Sequence, residues 1–357
     1  MNGGPVWKKF FTLIREREGQ RVKGKNTIKS LFARSEITVI LATVTLFIIF
    51  SLFSDSFLSG YNLFNISRTA AIYIFIALGQ AMVVIVGGMN LSLGQIGGLT
   101  VVIAGYCMHV MGLPPLVAIV AGLFVGCLSG FINGFVMTKL KLNSFVVTLA
   151  TSFIFTGLIN GISKGYPYTE IPKSFTFLGR EGFLGIPLLL WFALITLIIV
   201  GYIFKYTVTG RRVLATGGNI EAAKMSGINT NKTIILANMA SGFFAAVAGL
   251  LWISRTGSAQ PSTGSDWMVI SFAVAVIGGT ALKGGVINVI GILFSSFLIV
   301  MVKNGLVMVD ANIYFEQAYL GAILLLAVSL DSINNIIKKC KSRKNLKLTQ
   351  QQMTESM

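Results

Sequence analysis

The stretch VVIVGGMNLSLGQIGGLT, residues 83–100, decides the fold, because it places polar, flexible backbone between two long apolar runs. Its centre, GGMNLSLG (87–94), indicates a point where a helix stops and restarts. Non-helical backbone at membrane depth is tolerated only where protein buries it or a water-filled cavity lines it. The centre is therefore either a tight turn between two spans or a break in a helix beside a pathway. Asn90 and Ser92 suit the turn, since either can cap the following span, and both interpretations stay open on these residues alone.

The composition explains the apolar surroundings of this stretch. The chain has 357 residues, of which 54% are hydrophobic and 11% are charged, and its mean hydropathy is +0.79. A soluble protein carries about 25% charged residues. The apolar runs are about 17–25 residues long, which is enough for a helix to cross a hydrocarbon layer. The first begins only near Ile37, after a charged segment, so no secretory signal is expected. The sequence predicts an all-α integral membrane protein.

The hydropathy pattern predicts about ten transmembrane helices. The eighth is short and ends in glycine, so it is tilted, broken or only partly spanning, and eight or nine full crossings stay open. The predicted spans are 37–53, 69–86, 92–111, 115–138, 144–162, 186–204, 233–254, 267–281, 286–302 and 317–331.

The positions of lysine and arginine predict the orientation, because basic residues collect in cytoplasmic segments. Of the 29 basic residues, 23 fall on the side of the N-terminus. An even number of spans then places both termini in the cytoplasm. The six basic residues on the other side are Arg68, Lys164, Lys173, Arg180, Arg255 and Lys303.

This topology divides the chain into three parts. Residues 1–36 form a basic cytoplasmic arm, residues 37–333 form the membrane domain, and residues 334–357 form a basic cytoplasmic tail. A cytoplasmic loop lies at about 205–232. The net charge of +17 is explained by contact with the anionic inner leaflet and needs no nucleic acid, although docking of a partner by the arm stays open.

The sequence lacks acidic residues in the predicted span interiors, and it lacks a phosphate-binding loop. All twelve acids fall outside the predicted span interiors, and only the segment-end groups Lys303 and Asp331 come close, which disfavours a proton-coupled carrier. Sodium bound by backbone carbonyls stays possible. No phosphate-binding loop is present, so an ATP-driven function needs a separate chain. The cysteines and the histidine predict neither a disulfide framework nor a metal site; they are Cys107, Cys127, Cys340 and His109.

Four glycines recur at every fourth residue in the predicted fourth span and form one bare ridge along the helix. Such a ridge lets another helix backbone approach closely, so helix packing is the favoured interpretation and a pathway lined by glycine backbone is the alternative. The four are Gly122, Gly126, Gly130 and Gly134.

Three blocks, taken together, resemble the sugar permeases of bacterial ABC importers, the family that includes the ribose, xylose, arabinose, galactoside and autoinducer-2 systems. The resemblance extends over nearly the whole chain, and the blocks follow the family's order. They are GGMNLSLG (87–94), TGGNIEAAKMSGINTNK (216–232), and SAQP (258–261) followed by IGGTALKGG (277–285).

The resemblance implies a non-enzymatic permease of the bacterial inner membrane with the type II architecture of vitamin B12 importers. It would form the translocation pathway for a sugar or sugar-like solute. The implied partners are a cytoplasmic ATPase that binds ATP and magnesium, an external sugar-binding protein and a second permease chain. A homodimer is the simplest assembly and a heterodimer stays open. The alternative function is a sodium-coupled secondary carrier for a small polar solute.

The sequence departs from the family pattern at three acids. Asn90 stands where the family usually has aspartate, and Met268 and Ile270 stand where it has glutamate and aspartate. An asparagine still accepts a hydrogen bond, but it adds a donor and removes the charge. The identity of the solute therefore stays open.

Two sets of residues are expected to carry the function. In the first block, the backbone and Asn90 are expected to face water or solute. In the second, Asn219 can cap a short helix from 220 to about 226, Glu221 favours its dipole, and Gly227 stands where a helix commonly ends. The resemblance implies that this helix couples to the ATPase, and a plain surface helix is the alternative. The pathway set is Gly87, Gly88, Asn90, Ser92 and Gly94, and the coupling set is Gly217, Gly218, Asn219, Glu221, Ala222, Ala223 and Gly227.

The loop between the fifth and sixth predicted spans (163–182) mixes aromatic residues with charges. Tyr166, Tyr168 and Phe175 predict either an interfacial aromatic belt or a docking surface for the external binding protein.

Overall fold

The computed structural model describes residues 35–54 and 56–308, together with Phe315, Ala318, Tyr319, Gly321, Ala322 and Leu325. Nearly all of the basic arm, the basic tail and most of the tenth predicted span lie outside the described residues. The elements are α1 (Ser35–Phe53), α2 (Gly60–Ile85), α3 (Leu93–His109), α4 (Pro115–Leu140), α5 (Ser144–Ser163), α6 (Lys173–Arg180), β1 (Gly182–Phe183), β2 (Ile186–Pro187), α7 (Leu188–Tyr206), α8 (Val208–Gly218), α9 (Ile220–Met225), α10 (Thr230–Thr256), α11 (Trp267–Ile277) and α12 (Val289–Met308).

The described part is helical and rich in membrane-length helices. Six helices (α2, α4, α5, α7, α10 and α12) are long and apolar enough to cross a membrane, and three apolar helices are shorter. Three of the sequence-predicted bounds were wrong by more than a turn. Helix α2 begins at Gly60, nine residues before the predicted span, and α12 continues to Met308, six residues beyond its predicted span. Helix α11 ends at Ile277, four residues before the predicted end of the eighth span.

The bundle has two ends that serve as landmarks. At the α9 end lie α8, α9 and the start of α10. At the α6 end lie α6, the β1–β2 hairpin and the last turn of α10, where Gly179 donates its amide proton to Ser254 Oγ (2.9 Å). Helix α2 runs from the α6 end, where Phe64 lies beside Gly182, to the α9 end, where Ile85 lies beside Gly217.

Helices α2 and α10 form the centre of the bundle. Helix α2 is buried along most of its length, as expected for a helix that is apolar on every side. Helix α10 packs against α4 through the ridge of four glycines. A Cβ atom on Gly134 would lie 2.8 Å from Ile235 Cα, and one on Gly126 would lie 2.6 Å from the carbonyl oxygen of Gly242. The ridge therefore permits direct backbone contact between the two helices.

Two of the short helices begin inside the bundle. Trp267, the first residue of α11, lies against Gly97, and the carbonyl oxygen of Gly97 faces Gly249 of α10. Gly249 stands seven residues before Thr256, so α11 begins about 10 Å below the α6 end of α10. Helix α11 runs from there to the α9 end, while α3 begins at a similar depth and runs to the α6 end.

The eighth predicted span is thus only partly spanning. Helix α11 has 11 residues and is about 16 Å long, about half of a hydrocarbon layer. Two non-helical stretches carry the chain to the starts of α3 and α11. We call residues 86–92 the α2–α3 segment and residues 257–266 the α10–α11 segment.

Candidate functional site

The α2–α3 segment combines the two structures that the sequence left open, a turn and a break at depth. Helix α2 ends at Ile85 and the chain turns at Gly87, whose φ of +80° favours glycine. Met89 is held on both sides: its amide donates to Ser144 Oγ (3.1 Å) and its carbonyl accepts from Thr148 Oγ1 (3.2 Å). The chain then enters the bundle and starts α3.

Asn90 is the centre of a buried hydrogen-bond network that joins three helices. Its Nδ2 donates to Ser241 Oγ of α10 (2.9 Å), and its Oδ1 accepts from the amide (3.1 Å) and the hydroxyl (2.9 Å) of Ser92. Asn133 of α4 donates to Ser92 Oγ (2.9 Å). All four side chains are fully buried. The network therefore satisfies polar groups in the interior and fixes the start of α3.

Two expectations about these residues need correction. Ser92 is the N-cap of α3 but makes no side-chain capping bond; Asn90 receives its amide proton instead. The backbone of this segment and Asn90 were expected to face water or solute, and in this structure Asn90 and its partner Ser92 have no exposed surface. Their part in the pathway stays a prediction, and it requires a conformation in which the network opens.

The α10–α11 segment meets the first turn of α3 backbone to backbone. A Cβ atom on Gly94 would overlap the carbonyl oxygen of Gly264, and a Cβ atom on Gly264 would overlap the carbonyl oxygen of Gly94. One turn along α3, a Cβ atom on Gly98 would lie 2.6 Å from the carbonyl oxygen of Thr263. Gly94 thus fits the α10–α11 segment against the first turn of α3.

The α10–α11 segment is anchored near the α6 end by the loop that follows α5. Tyr168 and Ala259 exchange backbone hydrogen bonds (3.0 and 2.8 Å), and both are buried. Burial, with a smaller contribution from Tyr106, raises the pKa of the Tyr168 phenol, which donates to the carbonyl of Ile162 (3.1 Å). Tyr168 and Phe175 are thus packing residues, whereas Tyr166 is exposed.

An ion pair at the start of α11 corrects the charge distribution inferred from sequence. Lys303 Nζ lies 3.4 Å from Asp266 Oδ2 and 3.1 Å from the hydroxyl of Tyr73 on α2. Lys303 was expected beyond the ninth span but lies within α12, five residues before Met308. Asp266 was expected outside the span interiors but directly precedes Trp267, about 10 Å below the α6 end of α10.

The short helix predicted in the loop at the α9 end is present as α9. Asn219 Oδ1 accepts from the amide of Ala222 (3.0 Å), and the chain leaves the helix at Gly227, whose φ is +79°. Glu221 and Ala222 are exposed, whereas Ala223 is buried. Met225, which the sequence did not single out, is 91% exposed. Helix α9 therefore presents an open face with an apolar side chain at its end.

The end of α2 meets backbone from two other parts of the chain, which the sequence did not predict. The amide of Gly285 donates to the carbonyl of Ile85 (2.8 Å), and a Cβ atom on Gly217 of α8 would overlap that same carbonyl oxygen. Gly218 has open space where its Cβ would lie. Helix α8, which precedes α9, therefore lies directly against the end of α2.

A cleft of about 380 Å³ opens at the α9 end beside these elements. Gly87 and Gly88 form part of its wall, and Asn238 of α10 closes its deep side one turn before Ser241. Lys141 and Lys224 lie at the cleft. The buried network of Asn90 therefore lies immediately beyond the floor of the cleft. Among the described residues, no group of histidine, cysteine, aspartate or glutamate side chains is placed to hold a metal ion.

Comparisons with known proteins show which family the chain belongs to. Residues 62–328 match the model of the family described as "Branched-chain amino acid transport system / permease component". The chain is 36% identical over 289 residues to the ribose import permease protein of Bacillus subtilis, covering 80% of this chain and 89% of that protein. It is 34% identical over 296 residues to the ribose import permease protein of Haemophilus influenzae, covering 82% and 91%.

A third relative carries a different sugar in its name. The chain is 31% identical over 356 aligned residues to the xylose transport system permease protein of Escherichia coli, covering 82% of this chain and 91% of that protein. No solved structure matches the chain. The family model spans most of the sequence and the relatives are similar along most of their lengths, so the chain belongs to the family of branched-chain amino acid transport system permease components, within which it is similar to sugar import permeases.

Proposed function

We propose that this protein is the membrane permease subunit of an importer that moves a ribose- or xylose-like sugar across the bacterial inner membrane, driven by ATP hydrolysis on a separate subunit. The single observation that carries this proposal is the similarity to ribose and xylose permeases along more than four fifths of each relative. The alternative of a sodium-coupled carrier is not supported by any of these relatives.

The proposed topology has about ten spans with both termini in the cytoplasm and the α9 end inside. Its support is the distribution of basic residues, since the α9 end carries many lysines and arginines and cytoplasmic loops collect them. These residues are Lys139, Lys141, Lys205, Arg211, Arg212, Lys224 and Lys232. An architecture of type II, as in vitamin B12 importers, is part of the same proposal.

The proposed partners are the other subunits of such an importer. A cytoplasmic ATPase would bind ATP and magnesium and dock on α9, an external sugar-binding protein would deliver the solute at the α6 end, and a second permease chain would complete the pathway. A homodimer is the simplest assembly, because one chain then supplies both halves of a symmetric pathway. A heterodimer is the alternative.

Coupling would use the contact between the loop of α9 and the end of α2. Closure of the ATPases would displace α9, and the backbone contacts at Ile85 would carry that displacement to the α2–α3 segment. Opening of the Asn90 network would then connect the cleft at the α9 end with the interior.

Uptake by purified components tests the proposed function. Proteoliposomes that contain the permease, its ATPase and its binding protein should accumulate labelled ribose or xylose only when ATP is inside. Uptake that continues without the ATPase and stops without a sodium gradient would contradict the proposal.

The coupling role is tested by two variants of the α9 loop. Glu221→Lys reverses a charge that favours the helix dipole, and Gly227→Pro cannot adopt the φ of +79° and loses the amide bond to Lys224 (2.9 Å). Both should abolish uptake and weaken co-purification with the ATPase, while the protein stays folded in the membrane. Gly161→Ala, which lies in α5 outside the coupling set and meets no atom within 4 Å, is the control. Normal uptake and ATPase binding in both variants would rule out the coupling role.

A further inference from the structure

The α10–α11 segment exposes polar side chains well inside the bundle. Thr263 and Gly264 are packed against α3, so one side of the segment is buried, while Gln260, Ser262 and Ser265 are exposed on the other. The contacts with Gly94 and Gly98 place residues 263–266 about 10–15 Å below the α6 end of α10. Helix α10 is 27 residues long, or about 40 Å, so this depth lies within a hydrocarbon layer about 30 Å thick.

The exposed side chains of Gln260, Ser262 and Ser265 form a polar strip, and a charged pair continues it. The side chains of Lys303 and Asp266 keep 21% and 37% of their surface exposed, so neither is enclosed by the chain. Lys303 also contacts Tyr73 through the hydroxyl and through the ring face, with Nζ 5.7 Å from the ring centroid. The pair is therefore anchored on α2 and α12 while part of it remains open.

Contact with lipid is unfavourable for such a polar and charged surface. Charged groups at membrane depth face the bundle interior or a water-filled cavity, and non-helical backbone there must also be covered by protein or by water. By contrast, the outward residues of α7 at comparable depth, such as Ile195 and Ile198, are apolar and exposed. The face of the α10–α11 segment and the outward face of α7 are thus matched to different surroundings.

We propose that the Lys303–Asp266 pair and the exposed side chains of Gln260, Ser262 and Ser265 form a binding surface for a neutral polyhydroxylated solute in the half of the pathway nearest the α6 end. This inference rests on the proposed function for the identity of the solute as a sugar. A carboxylate accepts hydrogen bonds from two neighbouring hydroxyl groups, and the serine hydroxyl groups and the Gln260 amide both donate and accept them.

The first test measures water access and needs no transport. In a permease lacking Cys107, Cys127 and Cys340, single cysteines are introduced as Ser262→Cys and Ser265→Cys, with Ile198→Cys as the lipid-facing control. A membrane-impermeant thiol reagent added to the assembled complex should label Ser262→Cys and Ser265→Cys at least tenfold faster than this control. Labelling of both no faster than Ile198→Cys in every nucleotide state would overturn the proposal.

The second test separates solute binding from a purely structural ion pair. Uptake of D-ribose and of its singly deoxygenated analogues is compared in wild type and Asp266→Asn. If Asp266 binds a hydroxyl group, the variant should slow ribose uptake about tenfold but slow one analogue much less, so that discrimination between the two falls. The contribution of the binding protein cancels in this comparison.

The outcomes of the second test are distinct. Equal slowing of ribose and of every analogue by Asp266→Asn would assign the pair a structural role only and overturn the binding surface. Failure of the wild type to take up ribose or xylose with ATP would instead contradict the proposed function, and the thiol measurements would still decide whether the strip faces water.

Discussion

The α2–α3 and α10–α11 segments lead the chain into the bundle from opposite ends, yet their polar groups have opposite surroundings. The second segment meets the first turn of α3 at the contact between Gly94 and Gly264. In the first segment, Asn90 and Ser92 are fully buried and bonded to each other, and Asn90 is also bonded to Ser241. In the second, Ser265 is exposed. The difference shows that a break in a membrane helix is not by itself exposed to water, because side chains of the protein can bury it and supply hydrogen bonds to it.

The contact between Gly94 and Gly264 predicts the largest loss of stability. Gly264→Ala places a Cβ atom on the carbonyl oxygen of Gly94 and forces alanine to a φ of +90°. Overlap with backbone cannot be relieved by rotating a side chain, so we expect a loss of about 3 kcal/mol or more, or failure to assemble. The measurement is the thermal unfolding midpoint in detergent.

Gly161→Ala is the matched control for this substitution. It lies inside α5 with no atom within 4 Å of the added Cβ, and alanine favours a helix over glycine by about 1 kcal/mol. Equal stability of Gly264→Ala and Gly161→Ala would show that the α10–α11 segment does not contact α3 at Gly94 as described.

The sequence predicted the helices but not the different surroundings of the two segments. Runs of apolar residues predicted the described spans, and the types of Asn219 and Gly227 predicted α9 and its end. The start of α2 was missed because polar residues in its first turns lower the local hydropathy. Those residues have partners in the fold: Asn62 and Asn304 share hydrogen bonds of 2.8 and 3.2 Å.

The residues of the candidate site were also predictable from the sequence only in part. The glycine pair and Asn90 stand out in the sequence because they interrupt an apolar run. The pairing of Asp266 with Lys303 does not, since the two residues are 37 positions apart and their meeting depends on how deep α11 begins. That depth is set by glycines at positions 94 and 98, which admit neighbouring backbone, and no local pattern reports it.

A smaller effect is expected from the network of the first segment. Asn90→Ala leaves the amide and hydroxyl of Ser92 and the hydroxyl of Ser241 without their buried partner, which costs about 1–3 kcal/mol. Asn90→Asp should cost less, because both hydroxyls can rotate to donate to the carboxylate and the start of α3 favours a negative charge. Unfolding midpoints of the two variants measure the order.

The opposite order would contradict the network. If Asn90→Asp were the less stable variant, the carboxylate would lack donors and the hydrogen bonds around Asn90 would be assigned wrongly. If both variants were as stable as wild type, the first segment would be as loosely bound as the second.

The turn that starts the first segment predicts a loss of about 1–2 kcal/mol. Gly87 has a φ of +80°, and an added Cβ atom would meet no other atom within 4 Å. Gly87→Ala therefore changes only the backbone preference, which costs about 1–2 kcal/mol for an L-residue in the left-handed region. Comparison with Gly161→Ala isolates this term, and a loss as large as that of Gly264→Ala would indicate a steric contact that the structure lacks.

The smallest effect on stability is expected in the second segment. Ser262→Ala and Ser265→Ala change exposed side chains, so the unfolding midpoint should move by no more than the equivalent of about 0.5 kcal/mol. Uptake should nevertheless slow, because these hydroxyl groups belong to the proposed binding surface. Asn90→Ala should lower both uptake and stability. The two segments are therefore distinguished by how much uptake is lost for a given loss of stability. A fall in stability for Ser265→Ala as large as for Asn90→Ala would mean that the second segment is also sealed, and the distinction between a buried break and a wet one would disappear.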